Sequence, residues 1–346
     1  MRFFRIPVCR GTIQNMETGR NMWKHGLCIT LIALVVLITC VLCLLLPTVE
    51  RIAARMIGTT FGQLATQQGL DRFSYDEIRV DVIRQTVEME GLSLCAGSLD
   101  LSVRTCALSI SLMELLPRSK GLSGVDVAME SFKLSTADLS VQSESVRLEL
   151  EGNIPVSRPE RFLIEEVLLV IAGGTYGDRE KGLSVSVASA TLDTEGTIRA
   201  ATLQQDLEGI MDDLERLDMT AKQGTLSPDE RIMAQLGMFA LVSPWIADAG
   251  NWRFDSLSLE AVPLPASYRV DSFTIDAPLL EASGHASIPR KGATDISMEL
   301  SFARLHDQVR TEMSPLLGMF GHTIPPGAFT FEFSWQGTGF PQMLFR

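Results

Sequence analysis

The chain has 346 residues, 46% of them hydrophobic and 21% charged, with a formal net charge of −12. The charge is uneven: residues 1–25 carry five basic side chains against Glu17 alone, net +4, leaving −16 for residues 26–346. A body this acidic, with no basic stripe interleaved with aromatics, repels phosphate backbones and argues against any nucleic-acid partner.

Residues 1–25 form a basic tail. From Gly26 to Leu46 the chain reads GLCITLIALVVLITCVLCLLL, 21 residues without a charge. As a helix they span about 31 Å at ~1.5 Å per residue, enough for the ~30 Å hydrocarbon core of a bilayer. The basic tail predicts a cytoplasmic N-terminus with the bulk exported. The segment exceeds the ~7–15-residue apolar stretch of a cleaved signal, and no A-x-A site follows it. The expectation is a retained single-pass anchor in a bacterial inner membrane, with the body in the periplasm.

Residues 48–70 read as a juxtamembrane helix carrying Val49, Ile52, Ala53, Met56, Ile57 and Leu64. Residues 71–202 are β-rich: Ile78, Val80 and Val82 alternate, then Leu92 and Leu94, then Leu99, Leu101 and Val103. Cys106, Leu108, Ile110 and Leu112 share a parity out of phase with Val103, which predicts a β-bulge. A turn at Ala96-Gly97 sets Cys106 opposite Val87 rather than Cys95, and leaves open whether the two thiols pair. Further alternation covers Val125–Met129, Phe132–Leu134, Leu139–Val141 and Val146–Leu150, with a break at Gly152–Pro159. Residues 160–172 fit a strand or a short helix. The glycines at 173, 174 and 177 suggest a loop before Leu183, Val185 and Val187.

Residues 203–248 read as a helical hairpin. Leu203, Leu207, Ile210, Leu214 and Leu217 keep three-four spacing, and Ser227-Pro228-Asp229-Glu230 is a helix start signal. Leu207, Ile210, Leu214, Leu217, Leu236 and Phe239 form its candidate partner face. Residues 249–346 return to strands, with one helix at about 304–320. The cleanest alternation is Phe329, Phe331, Phe333 and Trp335, which with Leu108, Ile110 and Leu112 form a candidate apolar groove or core face. The fold class is mainly β with an α insert (α+β): a long antiparallel sheet, curled or sandwich-like, after a transmembrane helix.

No catalytic or metal-binding motif is present. The histidines lack ligand spacing, and Cys40-Val-Leu-Cys43 lies within the apolar span, where a redox pair has no polar surroundings to lower a thiol pKa. The residues predict no enzyme, cofactor or metal.

The run Ile78-Arg79-Val80-Asp81, Met89-Glu90-Gly91-Leu92-Ser93-Leu94, Leu99-Asp100-Leu101-Ser102-Val103 and Ser109-Ile110-Ser111-Leu112-Met113-Glu114-Leu115-Leu116, behind a basic tail and single anchor, resembles the opening of AsmA-like envelope proteins. The same cadence looks like the N component of type II secretion systems. The resemblance covers roughly residues 26–150. It implies an inner-membrane-anchored curled sheet with an apolar concave face, associated with outer-membrane homeostasis and lipid passage, and it carries over no catalytic residue. Two functional readings follow: membrane lipids along an apolar β-groove, or a non-enzymatic accessory of a secretion or assembly complex acting by protein contacts.

Overall fold

The computed structural model describes residues 47–63, 71–111, 122–154, 163–180, 182–199, 213–229, 232–233, 252–265, 267–290, 295–319, 321–336 and 342–346. The chain divides into two compact units, Met1–Met56 and Ile57–Arg346. The anchor expected at 26–46 lies outside the described residues, among which no helix is long and apolar enough to cross a membrane. Residues 47–63 are helical (α1).

The second unit holds one antiparallel sheet of 15 strands. Its first half is β1 (Arg72–Ser74), β2 (Glu77–Asp81), β3 (Thr86–Ala96), β4 (Leu99–Ser109), β5 (Leu122–Ser135), β6 (Leu139–Ile154), β7 (Leu163–Asp178) and β8 (Leu183–Arg199). Next come β9 (Leu214–Pro228), β10 (Arg253–Pro263), β11 (Ser267–Ala277), β12 (Leu280–Pro289) and β13 (Asp295–Leu305). A helix, α2 (Asp307–Met319), precedes β14 (Phe329–Gln336) and β15 (Gln342–Phe345). Each strand from β3 onward pairs with the next in sequence, while β1 and β2 both lie along β3. All connections are therefore local, as in a meander. The expected alternative of a two-sheet sandwich gives way to a single sheet.

Several elements differ from expectation. The hairpin at 203–248 is replaced over residues 214–228 by β9, in which Leu214 is buried and Leu217 half-buried. Glu215 is an extra residue between the pairs Gly196–Leu214 and Glu195–Arg216, a bulge that gives Leu214 and Leu217 the spacing of a helical face. Its start signal falls two residues later: Asp229 Oδ1 accepts the Ile232 amide at 3.0 Å and the Asp229 carbonyl accepts the Met233 amide. Residues 163–172 are part of β7, with 160–162 outside the described residues, and Gly173, Gly174 and Gly177 sit inside that strand rather than in a loop. The β3–β4 turn is Gly97-Ser98, not Ala96-Gly97, so Cys106 faces Met89 and Cys95 faces Asp100. Both thiols are free. The last helix begins at Asp307 because β13 runs on to Leu305.

The predicted change of phase in β4 belongs to a line crossing eight strands. Gly91, Arg104, Ser131, Glu144, Gly173, Ala188, Gln223 and Asp255 each fall out of the pairing ladder of β3 to β10 in turn. Left-handed backbone recurs on alternate strands, with φ of 64° at Gly91, 53° at Ser131, 60° at Gly173 and 50° at Gln223. At Gly91 a Cβ would collide with the Asp76 carboxylate, and at Gly173 with the Glu144 side chain. Each skipped residue resets the alternation, so apolar side chains three apart flank the line on one face: Met89 and Leu92, Cys106 and Val103, Ala221 and Gly224, Leu257 and Phe254. An interrupted ladder lets strands bend, and several residues beside this line are buried, Val103 most of all. Met89, Leu92, Val103 and Cys106 pack as one cluster across it. Phe61 of α1 joins that cluster, its ring 6.4 Å from Phe73.

Candidate functional site: an apolar band across the sheet

Antiparallel partners share a face, so the register places side chains in transverse rows. One row runs Val80, Val87, Leu108, Val127, Leu148, Leu169, Leu192, Met219, Leu259, Phe273, Gly284, Leu300, Phe331 and Phe345, crossing fourteen strands from β2 to β15. No polar side chain interrupts it. At ~4.8 Å per strand its length is roughly 60 Å.

A parallel row lies two residues nearer the bulge line, from Ile78 and Met89 through Val146 and Ile171 to Phe302 and Phe329. A third lies on the other side, from Val125 and Leu150 through Val270 to Phe333 and Met343. Its one polar member, Thr194, is buried and its hydroxyl donates to the Val167 carbonyl at 3.5 Å.

Burial distinguishes the rows. In the row beside the bulge line six of thirteen residues are buried, but all fourteen residues of the central row are half-buried and none is fully covered. In a sandwich interior the middle of such a row would be sealed by the facing sheet. Here the band keeps access to solvent along its whole length.

The opposite face is polar. Behind the band run Thr191, Thr220, Ser258, Thr274, Ser283, Ser301 and Thr330, with Ser258 Oγ and Thr274 Oγ1 at 2.5 Å. The next row is acidic, with Asp126 and Glu149 on neighbouring strands and Asp193, Asp218 and Glu260 on three more. Exposed arginines answer part of this charge: Arg147 lies 3.0 Å from Asp126 and 2.8 Å from Glu149. Glu166 has mostly acidic neighbours, and repulsion from Glu151 first, then desolvation and the nearby Asp193, Glu195 and Glu149, holds its carboxyl above the usual carboxylate range. Burial pushes the Cys106 thiol up.

The expected site residues distribute as follows. Phe329 is buried in the inner row, and Phe331 and Phe333 hold the central and third rows. Trp335 pairs with Ile296 one step beyond. Leu108 belongs to the central row and Ile110 is half-buried just past β4, while Leu112 lies outside the described residues. Of the expected partner face, Leu214 and Leu217 pack inside β9, and Leu207, Ile210, Leu236 and Phe239 lie outside the described residues. Alternation alone missed Phe345, Met343 and Gly284: β15 is too short to announce itself, and β12 carries alanine and glycine where the band crosses it.

Among the described residues His285, His306 and Asp307 do not share a site. His285 sits mid-strand on the polar face, its Nε2 3.7 Å from Glu299 Oε2. The His306 amide donates to Leu279, six residues along β12 from His285, or roughly 20 Å of strand. A cleft of about 450 Å³ beside His285 gathers Glu299 and Glu332 but neither His306 nor Asp307. Among the described residues no cluster of His, Cys, Asp and Glu is arranged to hold a metal ion. Comparison with known proteins finds no matching family model, no matching curated protein and no matching solved structure.

Proposed function

We propose that this chain is a membrane-anchored envelope protein whose sheet offers a trough to lipid acyl chains. The observation that carries the reading is the central row, fourteen positions without a polar side chain and none covered. Soluble proteins rarely expose apolar surface this continuous unless something binds it.

Chemistry selects the occupant. Every strand beneath the band is committed to ladder hydrogen bonds, and the central row offers no side-chain donor or acceptor. A peptide laid on it would leave its own backbone groups unpaired, at a cost of about 1–3 kcal/mol each. An acyl chain has no such groups and gains up to ~0.8 kcal/mol per buried CH₂. The curled, concave form of the trough belongs to the same proposal and draws support from the bulges and from the burial beside them. The uncharged run 26–46 supplies the anchor, the basic tail its orientation, and exposed Val49, Ile52 and Met56 on α1 continue the apolar surface after it. The bacterial inner membrane, with the sheet in the periplasm, is the compartment these features favour. The accessory reading rested on the 203–248 stripe, and with Leu214 and Leu217 turned into the sheet no described residue favours it.

Two measurements on the full-length chain test this. Alkaline carbonate should leave it with the membrane pellet, and release into the supernatant would remove the anchor. Mass spectrometry of the purified protein should find stoichiometric lipid surviving exchange into a lipid-free polymer. Lipid-free protein would remove the trough.

A further inference from the structure

The line of unpaired residues through β3 to β10 is more than a local irregularity. Isolated bulges occur at many sheet edges. Here eight successive strands each skip one residue at the same transverse position. Along that line the ladder loses its regular pairing, so resistance to bending is lowest there. Ser131 and Gln223 hold left-handed backbone without glycine's freedom, with φ of 53° and 50°, a conformation costing ~1–2 kcal/mol per residue. A small rotation at each changes the angle between the two halves of its strand.

The packing beside the line mixes adaptable and bulky groups. Met89 and Met129 are unbranched and adaptable, and Ala190, Ala221 and Gly224 are small. Ile171 and Val187 lie against Gly174, and two rings flank the line, Phe132 beside Ser131 and Phe254 against Gly224. In the middle of the line the strands continue on both sides: β8 runs from Leu183 to Arg199 around Ala188, and β9 from Leu214 to Pro228 around Gln223.

We infer that this line is a hinge built into the sheet, along which the arm carrying the apolar band swings toward or away from the other arm and so changes how far the band is enclosed. The role assigned to the motion, admitting and gripping an acyl chain, rests on the trough reading; the existence of the hinge does not.

The experiment uses the full-length chain, stripped of lipid and held in an amphipathic polymer. Spin labels are carried on an encoded keto amino acid at Ser184 and Glu195, both exposed on the polar side of β8 and on either side of Ala188. Native cysteines stay in place. A straight strand would separate these Cα atoms by roughly 36 Å. A hinge gives a broad or two-peaked distribution reaching below that distance in the empty protein, and palmitate narrows it to one component. A single narrow distribution in the empty protein overturns the hinge, whatever palmitate does. A broad distribution that palmitate leaves unchanged, with palmitate bound by calorimetry, overturns its coupling to the ligand. A broad distribution with no palmitate binding keeps the hinge and removes the trough reading. Circular dichroism matching the unlabelled chain confirms that the labelled protein is folded.

Discussion

Placing aspartates along the central row should empty the trough without unfolding the sheet. Leu148, Leu192 and Leu259 occupy that row on β6, β8 and β10. An extended chain half as long as the ~30 Å hydrocarbon core covers about 15 Å, or roughly three strands at ~4.8 Å spacing. Aspartates on these alternate strands therefore leave no chain-length stretch free between β6 and β10, while the row on β2–β5 and on β11–β15 stays apolar. Each substitution removes one or two CH₂ contacts, about 1 kcal/mol. Each also places next to the chain a carboxylate that must stay hydrated, about 1–3 kcal/mol more. The sum, about 2–4 kcal/mol, weakens occupancy of each stretch by roughly 30- to 1000-fold. The assay is lipid retained per protein, by mass spectrometry, for L148D/L192D/L259D beside a control carrying Thr220→Asp, Ser283→Asp and Ser301→Asp on the exposed polar face. The first variant should lose the lipid held on the β6–β10 stretch and so retain less than the parent, and the control should lose none, with both matching the parent in circular dichroism. Equal retention in both folded variants would refute the reasoning.

Other consequences are local. A Cβ at Gly224 would fall inside the Phe254 ring, so Gly224→Ala should cost about 1–3 kcal/mol in thermal unfolding, and Phe254→Leu should restore part of it. Gly91→Ala meets both a φ of 64° and the Asp76 carboxylate; it should destabilise by more than ~1 kcal/mol, and adding Asp76→Ala should recover only the steric share. Because like charges raise the Glu166 pKa in the folded chain, its contribution to stability is present at low pH and lost as pH rises through that raised pKa. Glu166→Gln should therefore stabilise at pH 7 and lose its advantage in acid, read from melting curves across pH. Cys95 and Cys106 should both be alkylated without prior reduction, Cys95 first, since Cys106 is buried and Cys95 only half-buried. A Cys95–Cys106 disulfide in peptide mapping would contradict the register.

The β character was legible because one wetted and one apolar face impose a period of two, and Phe329, Phe331, Phe333 and Trp335 display it without interruption. The change of phase between Val103 and Cys106 was legible, though it comes from an unpaired Arg104 without a shift of register rather than from the expected bulge. That it belonged to a line across eight strands was not, because each strand shows only a three-residue step, and register is needed to align them. The same step misled at Leu214 and Leu217, where the extra Glu215 imitates a helical turn. The glycines of β7 misled for the opposite reason: Gly173 serves a bulge inside a strand, where composition suggests a loop. A one-residue displacement of the β3–β4 turn moved every partner by two, preserving every face, which is why Cys106 meets Met89 rather than Val87. The band itself is a property of register, and no single strand could announce it.

Photo-crosslinking along the band tests the account most directly. Benzoylphenylalanine placed singly at Leu108, Leu192, Leu259 and Phe331 in cells, and at Ala128, Thr220 and Ser283 on the opposite face, should capture lipid at all four band positions and at none of the others. Crosslinks to protein at the band positions, or lipid captured equally from both faces, would contradict it.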